Sequence, residues 1–508
     1  MNGKSFPIAV EGQKVVYAAE MARIEDVAVK AGDGTTAEYM LAAADGIYEV
    51  VLNYIQEKNL PNVVTLICGK GNNAGDTYAV AAKLLDNEFQ VKAFQLFPLE
   101  NCSDLCKMQF KSFKDKGGEV LQVDSVDQVI FDEGVLVLDG ILGTGFKGRV
   151  IDLIRDVIHK LNLSNNSVIA IDIPSGVSGD SGIVEDVAVM ASLTAYVGFL
   201  KVGHLYNQGF EHVGELHGVQ FGLSQHYIEE IQPFGFIVNS EIITRNLPFR
   251  KRTVNKYAVG QVVILAGSLG MPGAAILASK AALRSGAGMV RLCHPVGMEQ
   301  ELSVSPPEVV RHAYTLDKMD KILEELSRSK AILVGPGLGR SENIPMILSK
   351  IYKEAKCPIV IDGDALFFFE GGVKNAILTP HKGELRKLLN IDDQVSDLEV
   401  IKLTEEFAKF HDVVIVFKGA PTTVISPSHP KIIIPFGNKG MASGGMGDAL
   451  AGIIASFLAQ GKDLREAAIL GTTFHALAGD KAKETKSEFS MIASDLIDSL
   501  PSLFLQNQ

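Results

Sequence analysis

The chain reads as α/β throughout: two domains in series, each a mostly parallel sheet covered by helices on both faces. Three observations lead there. Short apolar runs of strand length alternate with helical periodicities along most of the chain. Nearly every apolar run ends in a polar, glycine-containing turn, as Asn62–Cys68 does at Gly69-Lys70-Gly71-Asn72-Asn73-Ala74-Gly75-Asp76. Finally, 508 residues are too many for one ordinary domain, and a 47% apolar composition supplies large cores.

In order, Val15 to Ala31 and Tyr39 to Lys58 show helical periodicity. Asn62–Cys68 reads as a buried strand, followed by the glycine-rich turn and a helix from about Thr77 to Leu85. Gln90–Leu96 is the next strand, Asp104–Lys116 a helix and Glu119–Val123 a strand. The strand Gly134–Asp139 runs into Gly140-Ile141-Leu142-Gly143-Thr144-Gly145. A helix near Ile151–Leu161 follows, and the strand Ser167–Asp172 ends in Ile173-Pro174-Ser175-Gly176. Strands near Leu193–Val197 and Gly218–Phe221 finish the first sheet. Ser224 to Asn239, a short mixed stretch with Pro233 and Gly235, marks the boundary, so the domains are expected at 1–228 and 237–506.

The second domain repeats the pattern. Gln261–Ala266 leads into Gly267-Ser268-Leu269-Gly270-Met271-Pro272-Gly273 and a helix from about Ala274 to Ser285. Ala331–Val334 leads into Gly335-Pro336-Gly337-Leu338-Gly339, and Pro358–Ile361 into Asp362-Gly363-Asp364. Ala376–Leu378 leads into Thr379-Pro380-His381-Lys382-Gly383-Glu384. Asp412–Phe417 leads into Lys418-Gly419-Ala420-Pro421-Thr422. Lys431–Ile434 precedes Gly440-Met441-Ala442-Ser443-Gly444-Gly445-Met446-Gly447-Asp448. There a helix begins, with Leu450, Ile453, Ile454, Phe457 and Leu458 at helical spacing and Gly461 placed to end it.

Charge and cysteine usage narrow the function classes. A net charge of −12, with no Lys/Arg cluster, argues against a nucleic-acid surface. The apolar runs fall short of a membrane span, and the opening residues lack a signal peptide's basic start and apolar core. Five cysteines form no disulfide framework, and Cys102 and Cys106 lack further partners for zinc, so free thiols in a reducing cytoplasm are expected.

The chemistry-bearing residues gather at strand C-termini, the ligand edge of open α/β sheets. A glycine-rich loop feeding a helix start presents unpaired N–H groups, and Gly444, Gly445, Gly447 and Asp448 together suit an anion such as a phosphate. Asp448 is placed to cap that helix or to take a proton from a bound hydroxyl. Asn73, Asp139 and Ser175 offer hard oxygen donors for an alkali or alkaline-earth cation. Lys147 and Asp172 form an acid/base pair. Each also has a structural alternative: turn former for Asn73, helix cap for Asp139, solvated charge for Lys147, satisfied turn histidine for His381, and plain hairpin for Lys418 to Thr422.

Asn72-Asn73-Ala74-Gly75-Asp76, Asp139 with Gly143-Thr144-Gly145, and Asp172-Ile173-Pro174-Ser175-Gly176 resemble the signature of NAD(P)H-hydrate epimerase domains, which are Rossmann-like. The resemblance implies a loop, Asn72 to Asp76, that holds the substrate phosphates, with Gly143, Thr144, Gly145 and Phe146 also on substrate. It implies a potassium ion on Asn73, Asp139 and Ser175, and Lys147 with Asp172 interconverting the epimers. Ala74 stands where the family has glycine, which matters only if that position needs a positive φ.

From Arg250 to Pro501 the clusters resemble, in order, the ribokinase-like three-layer domain of ADP- or ATP-dependent NAD(P)H-hydrate dehydratases. Gly445-Met446-Gly447-Asp448 is similar to the anion hole of ribokinase-like kinases, where the Asp is the catalytic base. The resemblance implies hydrate contacts at Ala275, Gly337, His381 and Asp448. It also implies adenine-nucleotide contacts at Lys418, Gly419, Ala420, Pro421, Thr422, Gly445 and Gly447, with magnesium accompanying ADP or ATP. Met446 replaces a common Ser, and Asn255-Lys256-Tyr257 stands where His-Lys-Gly is usual. Together the two resemblances imply bifunctional repair of hydrated NADH and NADPH (NADHX and NADPHX) by a cytoplasmic, homo-oligomeric enzyme. The rival expectation is a ribokinase-type small-molecule kinase with a non-catalytic N-terminal binding domain.

Overall fold

The computed structural model describes residues 11–150, 152–239, 246–316 and 319–506. The first ten residues and Ile151, where the fifth helix was expected to begin, lie outside the described residues. Among the described residues the chain divides into two compact units, Gln13–Gly235 and Phe236 onward, the latter also taking Glu11 and Gly12, so that the strand Glu11–Val16 starts in the second unit and continues in the first.

In the first unit the strands are β1 (Glu11–Val16), β2 (Val63–Cys68), β3 (Gln90–Gln95), β4 (Glu119–Gln122), β5 (Leu136–Gly140), β6 (Val168–Ile171), β7 (Leu193–Val197), β8 (Leu200–Lys201) and β9 (Glu215–Val219). Among the described residues, seven of them form one parallel sheet in the order β4-β3-β2-β5-β6-β7-β9. β1 pairs with β8, Val15 opposite Leu200 and Val16 opposite Lys201. Strand β2 shows why helices cover both sheet faces. Val64, Leu66 and Cys68 join the core beneath the helices Thr36–Lys58 and Asn72–Asp86, while Ile67, pointing the other way, joins the opposite core. Thr35 starts the first of those helices with a reciprocal cap: its hydroxyl accepts from the Glu38 N–H, and Glu38 accepts from the Thr35 N–H.

Several elements begin a few residues from where the sequence predicts, the strand expected at Gly218–Phe221 among them as Glu215–Val219, and two of the shifts bear on the site. The helical periodicity from Val15 covers a strand end, because the β-branched Val15 and Val16 are buried in β1, and the helix starts at Ala18. The glycine-rich turn after β2 is only Gly69 to Gly71. Asn72 to Asp76, expected as loop, form the first turns of the helix Asn72–Asp86, with Gly71 as its extended N-cap. Ala74 therefore has helical geometry, and the substitution of alanine for glycine carries no positive-φ strain.

The second unit contains β10 (Gly235–Val238), β11 (Gln261–Leu265), β12 (Met289–Pro295), β13 (Val309–Tyr314), β14 (Ala331–Val334), β15 (Ile359–Ile361), β16 (Ala376–Leu378), β17 (Val414–Phe417), β18 (Thr422–Ile425) and β19 (Ile432–Ile434). Their order is β13-β12-β11-β14-β15-β16-β17-β18-β19-β10, antiparallel only from β17 through β19. Sequence reading missed β12 and β13. Arg291 interrupts the apolar run of β12, but in the fold it is matched by Glu325 at 3.1 Å. The helix Met446–Ala459 is apolar on all sides and packs against Pro272–Arg284. Gly452 permits that approach, since a Cβ there would lie 2.2 Å from the Ala278 carbonyl oxygen. Gly461 follows that helix with φ +91°, in the left-handed conformation that ends it. Beyond it, Leu464–Ser490 and Ala493–Gln506 add two helices to the same core.

All five cysteines are unpaired thiols. Among the described residues, no helix is long and apolar enough to cross a membrane.

Candidate active sites

Each unit gathers its polar residues at the point where the strand order reverses. In the first unit this lies between β2 and β5, whose following turns diverge and open a crevice. A cavity of about 660 Å³ occupies it, a size suited to a small-molecule ligand. Its walls include Glu25, Asn72, Asn73, Asp76, Gly143, Thr144, Gly145, Phe146, Asp172 and Lys201.

The expected cation donors come together. The Ser175 hydroxyl donates to Asp139 Oδ1 at 2.6 Å, and the Ser175 N–H donates to Asp139 Oδ2 at 2.8 Å. The Leu142 N–H donates to the Ser175 oxygen at 2.8 Å, while Asn73 Nδ2 donates to the Leu142 carbonyl at 2.9 Å. Asn73 Oδ1 is then left buried without any donor. An orphaned buried acceptor beside a carboxylate and a hydroxyl is the environment a desolvated alkali cation fits. Burial pushes the Asp139 acid up to about 6 against the pull of its Ser175 and Ile141 hydrogen bonds, so a cation would also relieve that charge. Among the described residues no three His, Cys, Asp or Glu side chains form a metal cluster, so the donor set is oxygen-only and mixed.

Other residues are placed differently from expectation. Ala74 and Gly75 face the core, and both N–H groups are spent on the Gly71 carbonyl, so neither is a free phosphate donor. The Lys147–Asp172 pair is not formed. The Lys147 side chain is 78% exposed and reaches Asp180 at 3.8 Å. Asp172 instead pairs with Lys201, 2% exposed, at 2.5 Å, and accepts from the Val197 N–H at 2.9 Å. Its backbone is held in the left-handed region, φ 62°, where His204 Nε2 lies 2.8 Å from its carbonyl oxygen. His204 Nδ1 accepts the Lys201 N–H, leaving Nε2 to donate to that carbonyl, and burial lowers the imidazole to about 4. A lysine inside the apolar run Ala195 to Val202 was the signal: a buried cation requires a partner.

In the second unit the strand order reverses between β11 and β14, and their turns are tied together. The Gly267 N–H donates to the Pro336 carbonyl at 2.8 Å, and the Ser268 hydroxyl to the Gly337 carbonyl at 2.9 Å. Gly337 has φ +58°, and a Cβ there would lie 2.9 Å from Ala274 Cβ. Ala275 is fully buried in the adjoining helix. His381 is the N-cap of Lys382–Leu389: Nδ1 accepts from the Gly383 and Glu384 N–H groups, which leaves Nε2 as a donor on the exposed side of the ring. The structural alternative and the ligand role are therefore compatible.

Lys418 to Pro421 form the turn of an antiparallel hairpin, with Thr422 opening its second strand. Lys418 is the exception within it. Its Nζ binds Asp362 Oδ1 at 2.9 Å and lies 3.7 Å from Glu384 Oε2. Burial pulls the ammonium down, but Asp362 and Glu384 outweigh it and the net shift is upward. Thr379 adds a 2.6 Å hydrogen bond to Asp362. Asp362 and Glu384 stood in turns noted from sequence, yet their function as a cradle for Lys418 was not legible there.

The glycine loop meets this lysine. A Cβ on Gly447 would lie 3.3 Å from Lys418 Nζ, while one on Gly444 would meet open space. The helix begins at Met446 with Gly445 as N-cap, φ 88°, so Asp448 is its third residue rather than its cap. The first N–H groups consequently have no partner within the helix. Buried His475, lowered to about 4, anchors this end by donating from Nε2 to the Met446 carbonyl at 2.9 Å. No hydrogen bond or ion pair engages the Asp448 carboxyl among the described residues. Burial first, then the carboxylate of Asp362, raises its acid to about 7 against the opposing pull of Lys418. A free carboxyl titrating near neutrality beside unpaired amides can accept a proton while the amides stabilise an oxyanion.

A family model described as NAD(P)H-hydrate dehydratase matches residues 262–502, and one described as YjeF-related protein N-terminus matches residues 36–203. The chain is 30% identical over 515 residues to the bifunctional NAD(P)H-hydrate repair enzyme of Moorella thermoacetica, covering 96% of each. With that of Escherichia coli it shares 31% over 507 residues, covering 98% of this chain and 95% of the other. A solved structure of the ADP/ATP-dependent NAD(P)H-hydrate dehydratase from Bacillus subtilis, co-crystallised with ATP and Mg2+, is 29% identical with a TM-score of 0.48, covering 54% of this chain and 98% of its own. A ribokinase-like superfamily protein of Enterococcus faecalis is 26% identical with a TM-score of 0.49, covering 53% of this chain and 95% of its own. With two distinct α/β halves matched in order and relatives aligned along nearly the whole length, the chain belongs to the family of bifunctional NAD(P)H-hydrate repair enzymes.

Proposed function

We propose that this chain repairs hydrated NADH and NADPH in two steps, one in each unit. Residues 1–228 equilibrate the R and S epimers; residues 237–506 dehydrate the S epimer with ADP or ATP. The observation that carries this reading is Asp448, a carboxyl without hydrogen bonds among the described residues and raised to about 7 beside the glycine-capped helix start and Lys418. Asp448 takes the proton of the substrate hydroxyl, whose oxygen attacks the terminal phosphoryl group. The amides around Gly445 and Gly447, with Lys418, balance the charge that develops. Phosphate then leaves, and the ring-nitrogen lone pair restores the double bond.

Gly337 and His381 are assigned to the hydrate and Lys418 through Thr422 to the nucleotide, while Ala275, expected on the hydrate, is fully buried and has no surface to offer it. Magnesium would accompany the nucleotide and supply further positive charge to its phosphates. In the first unit Asn73, Asp139 and Ser175 would hold potassium, which would supply a fixed positive charge beside the turn after β5. Asn72, Asp76 and Gly143 through Phe146 bind the hydrate. Asp172 supplies a charged wall, with Lys201 in the place expected for Lys147. A cytoplasmic homo-oligomer completes the reading.

The test supplies a mixed-epimer hydrate with ADP or ATP to the full chain and follows the recovery of reduced-nicotinamide absorbance. Nearly complete recovery is expected. Phosphorylation of a simple alcohol with the hydrate untouched would establish the kinase instead.

A further inference from the structure

Two carboxyls on the first unit's cavity wall differ sharply in their commitments. Asp172 has Oδ1 occupied by Lys201 Nζ and the Val197 N–H, and its backbone is clasped by His204. Lys201 is equally tied, donating also to the Val197 carbonyl at 2.7 Å. Such a group cannot pick up a proton without giving up a buried ion pair. Glu25 is the opposite case. It lies on the helix Ala18–Lys30, which lines the cavity with Ala18, Met21, Ala22 and Glu25, one face at helical spacing whose other members are small or apolar. Glu25 is half-buried, and no hydrogen bond or ion pair engages its carboxyl among the described residues.

We propose that Glu25 is the catalytic proton carrier of the epimerisation, and that Asp172, fixed by Lys201, is a positioning residue. This rests on the epimerase reading of the first unit. The hydrated ring bears its hydroxyl on a carbon bonded to the ring nitrogen, so inversion there requires no redox partner. Glu25 takes the hydroxyl proton as the carbon–oxygen double bond forms and the carbon–nitrogen bond breaks, and it delivers that proton to the nitrogen. The bonding pair released from carbon becomes the new N–H bond. Rotation of the freed aldehyde presents its other face. Nitrogen adds to that face, and the same proton returns through Glu25 to oxygen. Atoms, charge and electrons balance with no co-reactant.

The electrostatics agree with this geometry. Burial raises the Glu25 acid to about 7, opposed by Lys201 and aided by Asp172, which suits a group that must both take and release a proton near neutrality. The groups facing it from neighbouring elements are Lys201, Asp172, Asp76 and Tyr39. Asp76 is pushed up from the ordinary aspartate value by burial first and then by the charges of Asp172 and Glu25.

The test compares full-length wild type, Glu25→Gln and Glu25→Asp, measuring epimer exchange above the uncatalysed rate and S-hydrate dehydration in the same preparations. Glu25→Gln is expected to lower the kcat of exchange about a hundredfold or more, the range of general acid–base catalysis, while dehydration stays within twofold and reports an intact chain. Glu25→Asp is expected to retain a measurable part of the exchange. Wild-type kcat/KM for exchange is expected to rise through about pH 7 as the carboxylate forms, and the residual rate of Glu25→Gln to lose that rise. Exchange by Glu25→Gln within threefold of wild type, or an unchanged pH profile, overturns the assignment while leaving the epimerase reading standing. A wild-type chain that dehydrates the S form but does not exchange epimers overturns the epimerase reading and the assignment with it.

Discussion

The two units solve the same placement problem with opposite electrostatics. Both put polar turns where the strand order reverses, beside β2 and β5 in one case and β11 and β14 in the other. In the first unit Asp172 is already balanced by Lys201, while Asp139 is held only by neutral donors, Ser175 and backbone amides. What remains is an orphaned Asn73 oxygen and a cavity lined by weakly acidic carboxyls. In the second unit the unmet groups are donors, the amides at the start of Met446–Ala459, with Lys418 held beside them by Asp362. The first site presents acceptors suited to a cation, and the second presents donors suited to an anion.

That contrast breaks most visibly at Asp448. Asp448→Asn keeps the shape and removes the base, so dehydration is expected to fall about a thousandfold while epimer exchange is unchanged, both read by chromatography of the hydrates. Next comes the buried pair of the first unit. Lys201→Met leaves Asp172 as an uncompensated buried charge and is expected to lower that unit's stability by about 3–5 kcal/mol, measured by denaturant unfolding. The pH profile sharpens the comparison further. Asp448 has a raised acid and must be ionised to act, so kcat/KM for dehydration should climb about tenfold per pH unit below 7 and flatten above it. Gly445→Ala forces a side chain at φ 88° and sets a Cβ 2.4 Å from Leu277 Cδ1, for an expected loss of about 1–3 kcal/mol in stability and a weaker nucleotide KM. The smallest effect is expected for Lys147→Ala, whose exposed ion pair contributes little, with exchange within threefold of wild type.

Legibility followed the same division. Strand runs without charge, such as Ala331–Val334 and Ala376–Leu378, fall where apolar patterning puts them, because a strand buried on both faces tolerates little else. β12 was obscured by Arg291, whose partner Glu325 lies 34 residues away in the chain and meets it only in the fold. The glycine loop and Asp448 were legible because a helix start is local geometry. Lys201 left a hint as a lysine in an apolar run, but its partner and the role of Glu25 were not legible, since both depend on β8 and the helix Ala18–Lys30 sharing one cavity with Asp172. Lys147 shows the limit of reading a charge by its neighbours in sequence: Asp172, expected beside it, pairs with a cation from a different strand.

The measurement that most directly tests two self-sufficient sites on one polypeptide is complementation. Asp448→Asn and Glu25→Gln chains are each given mixed-epimer hydrate with nucleotide, then combined. Asp448→Asn alone should restore almost no reduced nicotinamide, Glu25→Gln alone only the S fraction at enzymatic speed, and the mixture both fractions. A mixture that stalls after the S fraction would contradict the independence of the two sites.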